Sequence, residues 1–372
     1  MAGTNWKFVL TEFGGTALGE ILDADDRQVI RSLSAPSTAA FRIGVDNARA
    51  TDVLSRDCNL KCYRDNVLLF HGNVLTAQLA GEDATGTPQI TVVASDPSWR
   101  FDHAVVGQSA TGTLYNGSDR FTIVNTELNA INGSFSGLGS MMVQSTGATC
   151  GSTAVYTVGP YKKFSEVLAD MSSTLSGFDW YVAPIEPTAG PAATQPYLGN
   201  LAGGAVVGTT QSNVVFDYSG GRRNSRTPNY IRDISQSMNH FFSVPDDGPT
   251  SALGVRSTFD VTFAPWVARG VLQEVVDTSN VTNATLRDAI LNDHLLYRKN
   301  PRQVVSFQPD FDDGSGRIPN WGVDYGLGDT VRTRILYNNV SLVDGFVRIY
   351  KMQFDIDANN RETLTPTVVS ET

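Results

Sequence analysis

The chain has 372 residues, with 28 Lys and Arg against 38 Asp and Glu, so its formal net charge is −10. Hydrophobic residues make up 41% and charged residues 18%, a balance that excludes an intrinsically disordered chain. The acidic excess argues against tight, general binding to nucleic-acid phosphates, because Lys and Arg drive such binding. The length predicts two or three domains, each able to bury its own core.

The first hundred residues are predicted to form a small antiparallel sheet or barrel. Asp65 and Asn66 predict the turn of a hairpin, because both residue types tolerate turn conformations. A further strand ends at Asp96 and Pro97. The runs that alternate apolar and polar residues, as half-buried strands do, are 40–45, 60–64, 67–74 and 89–94.

The middle of the chain changes character. Residues 107–160 are rich in Gly, Ser and Thr. Four apolar residues at i, i+3, i+4 and i+7 then predict an amphipathic helix over 164–171, and a strand is predicted over 177–182. Four prolines within residues 184–204 predict a loop, and we expect it to be a contact that can move.

The last part returns to strands, apart from one helix that Thr285 begins and that ends before Pro301. No repeat is visible at the level of residue identity. The first and last regions nevertheless share an order of strands, a turn and a longer alternating strand. The strands predicted in the last part cover residues 213–218, 230–234, 303–308, 329–336 and 346–356.

The three cysteines predict neither a disulfide framework nor a zinc site. Their number is odd, and Cys58 and Cys62 lack the second pair that a zinc site needs, so we expect buried, inert thiols, Cys150 included. The first residues lack the basic and apolar regions of a signal peptide, and no apolar run approaches the roughly 18 residues of a membrane span.

No catalytic, cofactor-binding or metal-ligating residue is predicted. The four histidines are scattered, His71 is expected to be a half-buried sheet residue, and the chain lacks zinc-protease, nucleophile-elbow and phosphate-loop motifs. Asp310–Gly316 has the alternating oxygens of a loose calcium loop without the final Glu, so an ordinary turn is favoured and calcium binding stays open. Asp23–Asp26 and Asp246–Gly248 are expected to be solvated loops.

Several short segments follow one another in a distinctive order: Phe41–Asn47, Leu60–Asp65, Leu69–Val74, Tyr325–Val331 and Val347–Met352. This order resembles that of phage tail-tip hub proteins, a family related to the baseplate hub of myophages. The turn residue Asn66 stands where the family has Gly, and His71 and Asn73 stand where it has Arg. The helix at 164–171, followed by Gly177–Trp180, is similar to the family's second domain.

The resemblance implies a mainly β fold with short helices, in which two tail-tube-like β-barrel or sandwich domains carry smaller inserted domains. The implied domains are a first tube-like domain at 1–100, an α+β hub domain at 101–204, a discontinuous second tube-like domain at 205–240 and 302–372, and an inserted domain with a helix at 241–301.

The implied function is structural and needs no cofactor. Three chains would form a pseudo-sixfold ring that joins the tail tube to the tip, encloses the DNA channel and passes genomic DNA without specific binding. The implied partners are a distal tail protein, other tail-tip proteins and the tape measure protein, within a virion tail assembled in the host cytoplasm. Some family members carry a C-terminal peptidase or lysozyme domain, but this chain stops at Thr372 soon after its last strand, so no enzyme is expected.

Two other functions are compatible with the residues. The first is a β-sandwich adhesin that binds surface carbohydrate through Trp266, Trp321 and Tyr325, although such aromatics are more often core residues. The second is a hydrolase with a carboxylate pair that no motif singles out among the 38 acidic residues.

Overall fold

The structure is a computed structural model, and it describes most of residues 5–369. The positions within this range that it leaves undescribed are 13–15, 83–85, 108–111, 135–142, 146–148, 160, 173–176, 187–198, 205–206, 220–222, 234, 236, 245–255, 261–270, 279–283, 300–301, 311–318 and 338–339.

The first hundred residues form strands around one short helix. Alternating burial in these strands, such as that of Trp6, Phe8 and Leu10 in the first of them, gives each a core-facing side. The elements are β1 (Trp6–Glu12), β2 (Ala17–Glu20), β3 (Asp25–Ser32), β4 (Thr38–Gly44), α1 (Ala50–Ser55), β5 (Cys58–Arg64), β6 (Val67–Glu82), β7 (Pro88–Ser95) and a 3-10 helix (Pro97–Asp102).

The middle region contains two helices and short strands. The predicted helix at 164–171 is present, and its Phe164, Val167, Leu168 and Met171 are all buried. The elements are β8 (Val105–Val106), β9 (Thr113–Asp119), α2 (Arg120–Ser134), β10 (Val143–Ser145), β11 (Thr153–Val158), β12 (Lys162–Lys163), α3 (Phe164–Ser172), β13 (Asp179–Pro184) and β14 (Gly199–Gly204).

The remainder is strands with a single described helix, which lies where the sequence predicts one. The elements are β15 (Thr210–Tyr218), β16 (Ser225–Asp233), β17 (His240–Val244), β18 (Arg256–Phe259), β19 (Gln273–Asp277), α4 (Ala284–Arg298), β20 (Arg302–Pro309), β21 (Thr330–Tyr337), β22 (Val340–Ile356) and β23 (Glu362–Val369). The chain is therefore mainly β with short helices, as predicted.

Three sequence predictions of local structure need correction. The helices α1 and α2 are not predicted from the sequence, although Phe121, Val124, Leu128 and Ile131 of α2 recur at helical spacing and are buried. The expected loop at 184–204 ends in β14, which pairs with β13, and its residues 187–198 lie outside the described part. Asp25 begins β3 and is not part of a loop, because the alternating residues after it pair with β4.

Thirteen strands form one sheet that links the two ends of the chain. The order of its main path is β16-β20-β23-β22-β3-β4-β7-β6-β5-β1-β2, and β21 pairs with both β22 and β15. Buried side chains from residues 6–94 and 214–368 form one core on this sheet. A second cluster lies within residues 101–201 and a third within 241–295, under α4.

Candidate assembly interface

The large sheet contains the same arrangement of six strands twice. In the first module, defined as β1 and β3–β7, the strand order is β3-β4-β7-β6-β5-β1. In the second module, defined as β15, β16 and β20–β23, the order is β16-β20-β23-β22-β21-β15. Each module has one long strand, 16 residues in β6 and 17 in β22, that pairs antiparallel with the strand before it and precedes an eight-residue strand. The chain therefore contains a structural repeat of this six-strand module.

The long strands β6 and β22 have matching registers. Asn73 in β6 pairs with β5 on one side and with Ser95 of β7 on the other. Arg348 in β22 has the same position, since it pairs with β21 and with Val369 of β23. Each ladder then shifts at the same point, between Val74 and Thr76 in β6 and between Ile349 and Lys351 in β22. A shared bulge at one register position is the kind of feature that related folds keep.

A second bulge also occurs in both modules. The β3–β4 ladder shifts between Asp25 and Gln28, and the β16–β20 ladder shifts between Arg226 and Asn229. Each bulge contains a residue in the left-handed region that is not glycine, Asp26 with φ 46° and Thr227 with φ 42°. The modules differ at one outer strand: β1 runs antiparallel to β5, whereas β15 runs parallel to β21.

The two modules join through the far half of β22, which pairs with the outer edge of β3. This junction runs antiparallel from Lys351 opposite Ser32 to Ile356 opposite Arg27. Its Phe354 is fully buried, with its ring 5.4 Å from that of Trp6 and 5.6 Å from that of Trp321. The edge of the first module is therefore covered by the second module of the same chain, and an uncovered edge of this kind favours aggregation.

A buried carboxylate holds the junction from one side. Glu362, the first residue of β23, accepts a hydrogen bond of 2.8 Å from the Trp6 indole and one of 2.7 Å from Arg64 Nε. Both donors belong to the first module, and the Glu362 side chain is only 8% exposed. The position in β7 that matches Glu362 is Pro88, which has no carboxylate.

The middle region contacts the first module at a polar cluster on its hairpin. Glu186 accepts a hydrogen bond of 2.6 Å from Lys61 Nζ and another from the Tyr63 hydroxyl, and these donors hold the pKa of Glu186 below its usual value despite desolvation. His71 Nδ1 lies 3.1 Å from the Ile185 carbonyl oxygen. Burial lowers the pKa of His71 to about 4, so the ring is neutral near pH 7.

The middle region also reaches the second module through one ion pair. Asp179 in β13 pairs with the buried Arg348, whose guanidinium donates to the carbonyl oxygens of Gly328 and Val207 at 3.0 and 2.7 Å. Sequence reasoning missed Glu186, Arg348 and Glu362, because each pairs with a residue more than a hundred positions away. The contacts of Glu186 with Lys61 and of Asp179 with Arg348 show that the middle region is bound to both modules.

The residues singled out in the sequence are brought into no common site. Cys58, Cys62 and Cys150 are free and buried, and burial raises the pKa of the Cys58 thiol to about 11. His71 is fully buried, not half-buried as expected, because the Ile185 segment covers it. Within the described residues, no group of three or more His, Cys, Asp or Glu side chains could hold a metal ion.

The aromatics proposed for carbohydrate binding belong to the core where the structure describes them. Tyr325 is 3% exposed and packs edge-on against Phe216, and Trp321 packs on Phe354. Trp266, the calcium-like residues after Asp310, and Asp246–Gly248 lie outside the described residues. None of the described helices is long and apolar enough to cross a bilayer.

Comparisons with known proteins find likeness in structure alone. No family model matches the sequence, and no curated protein matches it. The fold is similar to that of a 43 kDa tail protein of prophage MuSo2 from Shewanella oneidensis, with TM-score 0.60, 12% identity and 99% of each chain covered. A tail protein from Neisseria meningitidis MC58 gives TM-score 0.56 and 11% identity over 99% of this chain and 97% of that one.

A third solved structure extends this likeness. Prophage tail protein gp18 from Listeria monocytogenes EGD-e has TM-score 0.54 and 11% identity, with 98% of this chain and 95% of that chain covered. The likeness spans both modules, the middle region and the residues between β16 and β20. The chain therefore has the fold of phage tail proteins, as its resemblance to the tail-tip hub family predicts.

Proposed function

We propose that the chain is a structural protein of a phage tail, and that three copies form the hub ring at the tail tip. The observation that carries the proposal is the repeat: two modules of matching register, joined edge to edge within one chain. Three such chains would supply six modules around a ring. The fold that the chain shares with prophage tail proteins supports the same role.

The proposed domains follow this plan. Residues 1–100 and the pair of segments 205–240 and 302–372 are the two tube-like domains, and they share a core in the chain. Residues 101–204 are the second hub domain and 241–301 the insertion, each with a buried cluster of its own. The proposed partners are the distal tail protein, other tail-tip proteins and the tape measure protein, in a virion assembled in the host cytoplasm.

The size and shape of the assembled protein test the proposal. We expect light scattering of the purified full chain to give the mass of three copies, and negative-stain images to show a threefold ring with a central hole. A stable monomer that binds glycans would overturn the hub role in favour of an adhesin. Peptidoglycan turnover that is lost on changing one acidic residue would overturn the non-enzymatic role.

The net charge of −10 bears on the proposed channel. An acidic wall repels phosphates, so DNA would pass without sticking. We expect the purified protein to leave duplex DNA unretarded in gels at physiological and at low salt. Retardation that disappears as salt rises would indicate a basic binding surface and contradict this part of the proposal.

A further inference from the structure

An eight-residue segment of the middle region runs from one module of the large sheet to the other. It comprises β13 and the two residues after it, and it is called the crossing segment below. Its first residue, Asp179, binds Arg348 of β22 in the second module. Its last residue, Glu186, binds Lys61 of β5 in the first module. One short segment therefore ties the middle region to both modules.

The Asp179 end of the crossing segment is buried and bound by several groups. The side chains of Asp179 and Arg348 are 14% and 5% exposed, and the guanidinium also donates to two carbonyl oxygens. The carbonyl oxygen of Trp180 accepts a backbone hydrogen bond of 2.7 Å from Ser34, which follows β3. Separating the partners of a buried ion pair is costly, so we expect this end to stay bound.

The Glu186 end is held by fewer and more exposed contacts. The Glu186 side chain is 52% exposed, and it accepts hydrogen bonds from the side chains of Lys61 and Tyr63. The Ile185 carbonyl oxygen accepts one hydrogen bond of 3.1 Å from His71 Nδ1. Among the described residues, no backbone hydrogen bond joins this end to β5 or β6. Water competes for exposed contacts, so this end opens at a lower cost than the Asp179 end.

His71 destabilises the closed arrangement. A carbonyl oxygen only accepts hydrogen bonds, so Nδ1 carries the proton donated to Ile185, and Nε2 is left as an acceptor. Within the part of the chain that the structure describes, the buried Nε2 has no hydrogen-bond partner. A buried polar atom without a partner costs free energy, and water can reach Nε2 once the segment lifts. Opening therefore recovers part of its own cost.

We propose that the crossing segment is a latch, whose Glu186 end lifts from the first module while its Asp179 end stays bound to the second. In the open arrangement, Lys61, Tyr63 and His71 face water. The middle region can then turn relative to the first module without leaving the second, as about a hinge. The inference is independent of the proposed ring, because every contact in it lies within one chain.

Chemical labelling of histidine measures the opening. Diethyl pyrocarbonate acylates a neutral imidazole that solvent can reach, and the exposed His103 of the same chain gives the reference rate. Mass spectrometry of peptides from the full-length protein, labelled at pH 7, gives the ratio of the two rates. We expect His71 to react more slowly than His103 in the native protein, because the Ile185 segment covers it.

Two substitutions should open the latch without touching His71. Glu186→Gln removes the negative charge that Lys61 binds, and we expect it to raise the His71 labelling rate about tenfold. Tyr63→Phe removes one hydrogen bond to Glu186 and should raise the rate about threefold. In both variants the rate should change little with low urea, because lifting a few residues exposes little surface.

The matched control is Asp170→Asn. Asp170 accepts hydrogen bonds of 2.6 Å from both Lys162 and Tyr156, so it has the same kinds of partner as Glu186. All three residues lie within the middle region, so this variant should leave the His71 rate unchanged. An Asp170→Asn effect as large as that of Glu186→Gln would overturn the latch.

Hydrogen exchange at the Ser34 amide tests the other end. This amide donates to the Trp180 carbonyl oxygen, so its exchange reports whether the Asp179 end is released. We expect Glu186→Gln to leave this exchange rate unchanged while His71 labelling rises. A Ser34 rate that rises together with the His71 rate would mean that the whole segment detaches, and it would overturn the proposal. A His71 rate that follows the urea dependence of global unfolding would also overturn it.

Discussion

The two modules differ in which strand edges are paired within the chain. The outer edge of β3 in the first module pairs with the far half of β22 in the second, whereas the matching edges of β16 and β6 pair with no described strand. Both keep the same register and the same two bulges, although few of their matched residues are identical. The junction residues Phe354 and Val29 are buried, whereas their counterparts Leu79 and Tyr230 are more exposed. The two modules therefore share their backbone register. The burial of matched side chains differs according to whether the edge is paired within the chain.

The largest expected effect comes from the buried side of this comparison. Phe354→Ala removes an aromatic ring from between Trp6 and Trp321, and we expect it to lower the free energy of unfolding by about 3–5 kcal/mol. Leu79→Ala, at the matching open position, should change the unfolding of the single chain by less than about 0.5 kcal/mol. Urea unfolding of both variants measures the difference, and equal losses would contradict the distinction between junction and open edge.

The second prediction concerns Glu362, the buried carboxylate at the junction, whose counterpart in the first module is Pro88. Glu362→Gln leaves the Arg64 guanidinium without its anionic partner, so we expect a loss of about 3 kcal/mol in the free energy of unfolding. The matched control is Asp344→Asn, which breaks an exposed pair with Arg332 and should cost less than about 1 kcal/mol. A Glu362 variant no less stable than the control would show that the junction stands without this contact.

The hairpins of the two modules should differ in their response to pH. His71 is buried and has a pKa of about 4, whereas its counterpart Phe346 is 50% exposed and cannot titrate. Between about pH 6.5 and pH 4, His71 binds a proton in the unfolded chain but stays neutral in the folded chain. The free energy of unfolding therefore falls as pH falls, by up to about 3 kcal/mol.

Urea unfolding of His71→Gln across this pH window measures that effect. We expect the variant to lose the His71 part of the pH dependence, although Lys61 and Glu186 stay beside the substituted side chain. His103→Gln, at an exposed histidine, is the control and should keep the wild-type dependence. Unchanged slopes in both variants would mean that His71 titrates alike in folded and unfolded chains.

The smallest expected effect concerns the shared bulge. Thr227 is β-branched and has φ 42°, a conformation that glycine adopts without strain. We expect Thr227→Gly to raise the free energy of unfolding by up to about 1 kcal/mol, after the entropy cost of glycine in the unfolded chain. Asp26→Gly should gain less, because Asp tolerates this region better. Thermal unfolding ranks the two, and the reverse order would contradict the strain at Thr227.

Ten of the 23 described strands follow from sequence, because alternation of apolar and polar residues indicates which face a strand buries; they are β4–β7, β13, β15, β16 and β20–β22. The periodic helices at 164–171 and within 281–299 follow for the same reason. The helix α2 was not recognised, although its buried Phe121, Val124, Leu128 and Ile131 lie at i, i+3, i+7 and i+10, because the surrounding residues 107–160 are rich in Gly, Ser and Thr. The pairing of β3 with β22 was also inaccessible, because no local pattern specifies a partner more than three hundred residues away.

The amino-acid sequence shows the structural repeat only in part, for a physical reason. Apolar spacing in β6 and β22 reflects their different surroundings, so the two sequences diverge where one edge is covered. The bulges that identify the matching register depend on backbone geometry, and residues as different as Asp26 and Thr227 occupy the same place. The polar contacts of Glu186 and Glu362 follow from folding together distant segments, and single-sequence patterns do not report such contacts.

The closing of β3 by β22 has a consequence during synthesis. Gln28 and Asp355, which share a hydrogen bond at this junction, are separated by 327 positions. At about 5–20 residues per second, a ribosome needs roughly 16–65 s to make the strand that covers the β3 edge. During this time the first hundred residues are outside the ribosome with the edge of β3 unpaired. Truncated chains that end before residue 340 should aggregate or recruit chaperones that full-length chains escape.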